Sequence, residues 1–180
     1  MKRKNSTTAT FTAVFAALYA VAVVALAPIS FQVFQVRLAD ALLPLPILFG
    51  WPAILGLALG AFVANFFGGL GPVDIIGGSV ANLVAGYVAW RIALNRSRSW
   101  VSFAVGMQVL IITLIVGTYL SYLLAVPLQI GWLGVMLGSI VAIGFLGSLL
   151  LFTLSTQQIA GVLGSYGVAV YRWQTKERKT

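Results

Sequence analysis

Apolar residues run along this chain in blocks of roughly 20, without the two-residue alternation of a half-buried strand. A helix needs about 20 such residues to cross the hydrocarbon core of a bilayer, so each block is read as a membrane span. Uniformly apolar blocks also exclude a membrane β-barrel. Backbone breakers separate them. Ala27-Pro28 ends the first, Phe49-Gly50-Trp51-Pro52 makes a turn, and Gly68-Gly69-Leu70-Gly71-Pro72 makes another. The pattern predicts spans at 9–27, 31–49, 53–67, 75–94, 101–125 and 131–154. Pro44 and Pro46 fall inside the second, which predicts a kink or a partly irregular helix there. The first span follows a Met-Lys-Arg-Lys start like that of a signal peptide, but its apolar run is longer than a signal sequence needs, so it is read as retained. After the polar run Ser155-Thr156-Gln157-Gln158, residues 159–173 read either as an interfacial helix, which the basic end favours, or as a short seventh span.

Composition turns this pattern into a class. Of 180 residues, 61% are hydrophobic and 8% charged, and the mean hydropathy is +1.03. Soluble domains carry about 25% charged residues, so no water-facing surface is available. The expectation is an all-α integral membrane protein, a compact bundle of six transmembrane helices. The net charge of +8 is concentrated in Lys2–Lys4, Arg91–Arg98 and Arg172–Lys179. Basic clusters flanking spans mark the cytoplasmic side, which places both termini there and explains the charge without nucleic acid. On this reading 1–8 is a basic tail, 9–156 the membrane domain, and 157–180 an apolar-then-basic tail. With no His and no Cys, zinc and iron–sulfur sites, thiol nucleophiles and imidazole bases are excluded. There is no Gly-Lys pair, hence no phosphate-cradling loop for ATP. No metal, cofactor or catalytic constellation is expected, and the chain reads as a non-enzyme.

Three charges stand apart from the basic clusters: Arg37, Asp40 and Asp74. The predicted topology puts all three toward the external side, with Arg37 and Asp40 three apart on one helical face. An ionisable residue in a span costs at least about 2.5–3.5 kcal/mol and faces the protein interior or a wet cavity. One arginine neutralises one aspartate; the other carboxylate is left to a ligand bearing donors or positive charge. Asn65 and Asn82 flank Asp74 in sequence, and two apposed helices are expected to bring them to comparable depth, as ligand contacts or as interhelical glue. Ala9, Ala13, Ala16, Ala17 and Ala20 form a small-residue stripe on the first span, suited to close helix approach within the bundle or to docking by another membrane subunit.

The residues around these charges carry a resemblance. Phe34-Gln35-Val36-Arg37-Leu38-Ala39-Asp40-Ala41-Leu42 resembles the Phe-Arg-Ile-Ser-Glu-Ala-Leu motif of the queuosine-precursor transporter (QueT) family. Ala64-Asn65-Phe66-Phe67, followed by Gly71-Pro72-Val73-Asp74-Ile75-Ile76-Gly77-Gly78-Ser79, is similar to its second signature. That family comprises substrate-binding S components of energy-coupling factor (ECF) transporters, six-helix proteins of the plasma membrane. The resemblance implies a 7-deazaguanine substrate, a transmembrane coupling subunit and two ATPase subunits as partners, and docking of the coupling subunit on Ala13, Ala16, Ala17 and Ala20. Two departures stand out: Asp40 occupies a position where relatives carry Glu, and Gly138-Ser139 matches a Gly-Glu pair without its carboxylate.

A guanine-like edge presents adjacent N–H donors that one carboxylate, Asp74 or Asp40, accepts in a bidentate pair. Arg37 offers a donor fork for a carbonyl and ring nitrogen, or holds the second aspartate. Asn65 and Asn82 complete the edge, while Phe31, Phe34 or Phe67 is a candidate to stack on the ring. Two alternatives use the same residues: an S component for another water-soluble vitamin, and an ion-coupled carrier in which Asp40 or Asp74 titrates.

Overall fold

A computed structural model describes residues 2–26, 37–94, 97–165 and 170–171. Among them every regular element is helical and no strand occurs. In chain order these are α1 (Lys2–Ala25), a 3₁₀ turn (Leu38–Leu42), α2 (Pro46–Phe49), α3 (Trp51–Gly68), α4 (Pro72–Ala93) and α5 (Arg98–Leu123). There follow α6 (Leu128–Ser139), a π-helical stretch (Ile140–Gly147), α7 (Ser148–Leu154) and α8 (Gln157–Ser165). Five helical stretches are long and apolar enough to cross a membrane: Ser6–Ala25 of α1, then α3, α4, α5, and the continuous run Leu128–Leu154.

The irregularity expected in the second predicted span is found in its described part, which is no continuous helix but the 3₁₀ turn Leu38–Leu42, a bend and the single turn α2. Pro44 and Pro46 are the cause, since each deletes an amide hydrogen that a continuous helix would use. The remaining spans stand within a few residues of expectation. Asp74 falls inside the first turn of α4, not before it, because Pro72 starts that helix.

α1 and α3 run parallel. A Cβ added to Gly56 would lie 2.6 Å from Thr12 O and Phe15 Cβ, and one on Gly60 would lie 2.7 Å from Ala16 O and 2.8 Å from Tyr19 Cβ. The two backbones touch because these positions lack side chains. α3 and α4 then form a tight antiparallel hairpin. Gly69 (φ 75°) and Gly71 (φ 94°) take left-handed conformations that other residues avoid. The hairpin register is fixed by Ser79 Oγ donating to Ala58 O (2.9 Å). α5 packs on α4, and α6 on α5, where Trp132 Nε1 donates to Thr118 Oγ1 at 3.0 Å.

Arg98, at the start of α5, lies over the Phe152 ring of α7 at 4.5 Å, and Tyr171 packs on Trp90 of α4 at 5.9 Å. The Tyr171 amide donates to Leu48 O at 2.7 Å. These contacts gather the ends of α2, α4 and α7 and the start of α5 at one end of the bundle. Asp74 is at the other. α8 has nine residues, about 14 Å of helix, against the roughly 30 Å of a bilayer core.

Candidate substrate-binding site

Two acid–tyrosine pairs and one arginine form the polar centre. Asp40, in the 3₁₀ turn, accepts a short hydrogen bond from the Tyr19 hydroxyl of α1 on Oδ1. Asp74, on α4, accepts one from the Tyr119 hydroxyl of α5 at 2.9 Å, also on Oδ1. All four lie on different elements, so each pair ties two of them together. Arg37 caps the 3₁₀ turn and is 5% exposed. Its charge acts on both carboxylates and both tyrosine hydroxyls. One guanidinium against two carboxylates leaves a formal surplus of one negative charge. Among the described residues, Asp74 Oδ2 is buried without a hydrogen-bond partner.

A small cavity lies beside Arg37 and Asp40. Asn82, Ser139 and Gly138 complete its polar side, and Ile112, Val116 and Val135 form an apolar wall. Its free volume is ≈ 10 Å³, room for about one water molecule. Ser139 is the last residue of α6, directly before the π-helical stretch. π-Helical turns are rare and recur at functional sites, because the extra residue per turn redirects side chains.

The predicted site residues divide. Arg37, Asp40 and Asn82 line the cavity, but Arg37 has non-helical backbone (φ −82°, ψ 89°), so a regular helical face is not what brings it beside Asp40. In the 3₁₀ turn, residues three apart eclipse and reach the same result. The expected equal depth of Asn65 and Asn82 is corrected. The hairpin turns at 69–71, so Asn65 Nδ2 reaches Asp74 O at 2.8 Å whereas Asn82 Nδ2 reaches Leu57 O at 3.3 Å. Eight residues of α4 separate Asp74 from Asn82, about 12 Å of helix. Asp74 and Asn65 are not among the residues that line the cavity, although the Arg37 charge acts on Asp74 as well as on Asp40. Phe67 is 70% exposed and pairs edge-on with Phe66 on the outer surface, so it stacks on nothing in the cavity. Phe31 and Phe34 lie outside the described residues.

The alanine stripe is also split. Ala16 backs onto Gly56 and Gly60 of α3 and Ala20 is half-buried, while Ala9, Ala13 and Ala17 are exposed. Sequence reasoning missed Tyr19, Tyr119 and Gln108. Nothing marks the tyrosines in sequence, but Gln108 is a polar residue in the middle of an apolar span and was legible as such.

Fold and site together define a class: a helical membrane protein built around a buried polar cavity, the arrangement of a solute transporter. Comparison with protein families gives the particular one. The chain matches the QueT transporter family over residues 9–156 and belongs to it. No curated protein and no solved structure matches the chain.

Proposed function

We propose that this chain is the substrate-binding S component of an ECF-type uptake transporter, capturing a 7-deazaguanine precursor of queuosine at the external face of the plasma membrane. Delivery runs through a transmembrane coupling subunit driven by two partner ATPases, and both termini are cytoplasmic. The observation that carries the reading is the cavity itself. A guanidinium, a carboxylate, an amide and a hydroxyl face an apolar wall, the set needed to hold the polar edge of a flat base while its ring meets hydrocarbon. Asp74, outside the cavity lining, supplies an acceptor oxygen with no donor among the described residues. A ligand N–H that bonds there repairs an existing deficit, which favours a donor-rich ligand over an acceptor-rich one.

A cavity holding about one water does not admit a base, so its walls separate before the ligand enters. The test is binding of 7-deazaguanine to the purified protein in detergent, with guanine and riboflavin as comparators. Selective binding of the deazapurine without any partner protein is expected. Preference for riboflavin would reassign the protein to another vitamin-like ligand. Uptake in cells that follows the proton gradient and survives loss of the ATPases would overturn the energy-coupling part.

A further inference from the structure

The broken segment Leu38–Phe49 is held by bonds in which an amide reaches the carbonyl three residues back. Asp40 bonds Arg37 (2.9 Å), Leu43 bonds Asp40 (3.0 Å), Leu45 bonds Leu42 (3.0 Å), Ile47 bonds Pro44 (3.0 Å) and Leu48 bonds Leu45 (2.9 Å). Two members of the series are chemically impossible, because Pro44 and Pro46 have no amide hydrogen to give to Ala41 and Leu43. For Leu43 the next candidate, the Ile47 amide, is already committed to Pro44. Leu43 is fully buried, so bulk water does not serve its carbonyl either.

Gln108 supplies the missing donor. From the middle of α5 its Nε2 donates to Leu43 O at 2.6 Å and reaches Ala85 O of α4 at 3.4 Å. One amide thus joins the broken segment to both helices behind it. Gln108 has no exposed surface, and its Oε1 has no hydrogen-bond partner among the described residues. A buried unpaired oxygen costs free energy, so filling space is a poor account of this residue; an apolar side chain fills space without that cost. The donor is what an apolar replacement lacks.

We infer that Gln108 is the positioning residue of the candidate site: its amide stands in for the N–H that Pro46 lacks, and so fixes the segment bearing Arg37 and Asp40 at the depth where both face the cavity. The claim rests on the binding role proposed above for that cavity, and its structural half is testable without a ligand.

The experiment compares wild type, Q108L, P46A and the double variant Q108L/P46A as full-length protein in detergent. Hydrogen exchange of the amides from Asp40 to Leu48 is read alongside the dissociation constant for 7-deazaguanine. In Q108L, exchange at Leu43, Leu45, Ile47 and Leu48 is expected to rise roughly 10- to 100-fold, with α3 and α4 unchanged and affinity falling by a similar factor. In the double variant, position 46 regains an amide that completes the series to Leu43. Both readouts should then return to within about threefold of wild type, the factor of a few tenths of a kcal/mol by which independent changes fail to add. A residue that merely filled space would not be rescued by P46A. Wild-type exchange in Q108L, or a loss that P46A does not restore, overturns the inference. Altered exchange with unaltered affinity overturns its functional half. Should Q108L not accumulate, Q108N, one methylene too short to reach, replaces it with the same expectations. Failure of wild type to bind 7-deazaguanine sinks the proposed substrate, and the exchange pattern still decides whether Gln108 sets the segment.

Discussion

Asp74→Asn separates a binding role from a structural one, because the two predict opposite signs. The carboxylate is fully buried, with Oδ1 held by Tyr119 and Oδ2 without a partner among the described residues. Asparagine has nearly the same shape. Its carbonyl keeps the tyrosine bond, and the change removes a desolvated charge from a trio with one cation and two anions. Buried charges cost several kcal/mol each unless fully paired, so the variant should melt at the same temperature as wild type or higher. Binding should move the other way. On the proposed function, a ligand N–H directed at residue 74 meets an N–H in place of an oxygen. A hydrogen bond to a charged group is worth about 1.5–3 kcal/mol, which is roughly 10- to 150-fold in Kd. The assay is a ligand titration and a thermal melt on the same detergent preparation. Affinity within twofold of wild type would remove Asp74 from the site, with the threshold set by the few tenths of a kcal/mol of ordinary surface changes. A fall in affinity together with melting temperature would assign it a structural role.

Three further outcomes follow from the geometry. Gly60→Val forces a side chain onto Ala16 O and Tyr19 Cβ, so a destabilisation of about 1–3 kcal/mol is expected by thermal or denaturant unfolding. Replacing the exposed Ala13 and Ala17 by Leu should abolish co-purification with a coupling subunit while leaving 7-deazaguanine affinity unchanged; retained co-purification would move the docking surface elsewhere. Ser139→Ala removes a hydroxyl from the cavity wall without adding bulk, and a loss of affinity of about 1 kcal/mol or more is expected with the fold intact by circular dichroism.

Much of this architecture was legible because bilayers impose a length and proteins punctuate it with Gly and Pro. The hairpin at Gly69–Pro72 and the boundaries of α3, α4 and α5 follow from that rule. The broken second segment was visible only as two prolines: sequence shows which amides are missing, not which distant side chain replaces them. Charge rarity found Arg37, Asp40 and Asp74, since each carries a desolvation cost that demands a reason. Their depths were not legible. Eight residues along α4 decide whether two groups share a layer, and that distance depended on where the hairpin turned. Tyr19 and Tyr119 were invisible for a different reason. A tyrosine in an apolar helix is ordinary, and only the acid facing it makes it part of a site.

The tightness of the cavity has a kinetic consequence. On the proposed function, a pocket with room for about one water has to open before a base enters, and the apparent affinity is the intrinsic affinity scaled by the fraction of the protein that is open. Association then waits on opening. In a stopped-flow experiment the observed rate should rise with ligand concentration and level off at the opening rate, far below the diffusional ceiling. Substitutions that loosen the wall around Ser139 would lift that plateau, including ones that weaken the bound state. For such a protein the speed of capture and the strength of retention are set by different parts of the same cavity.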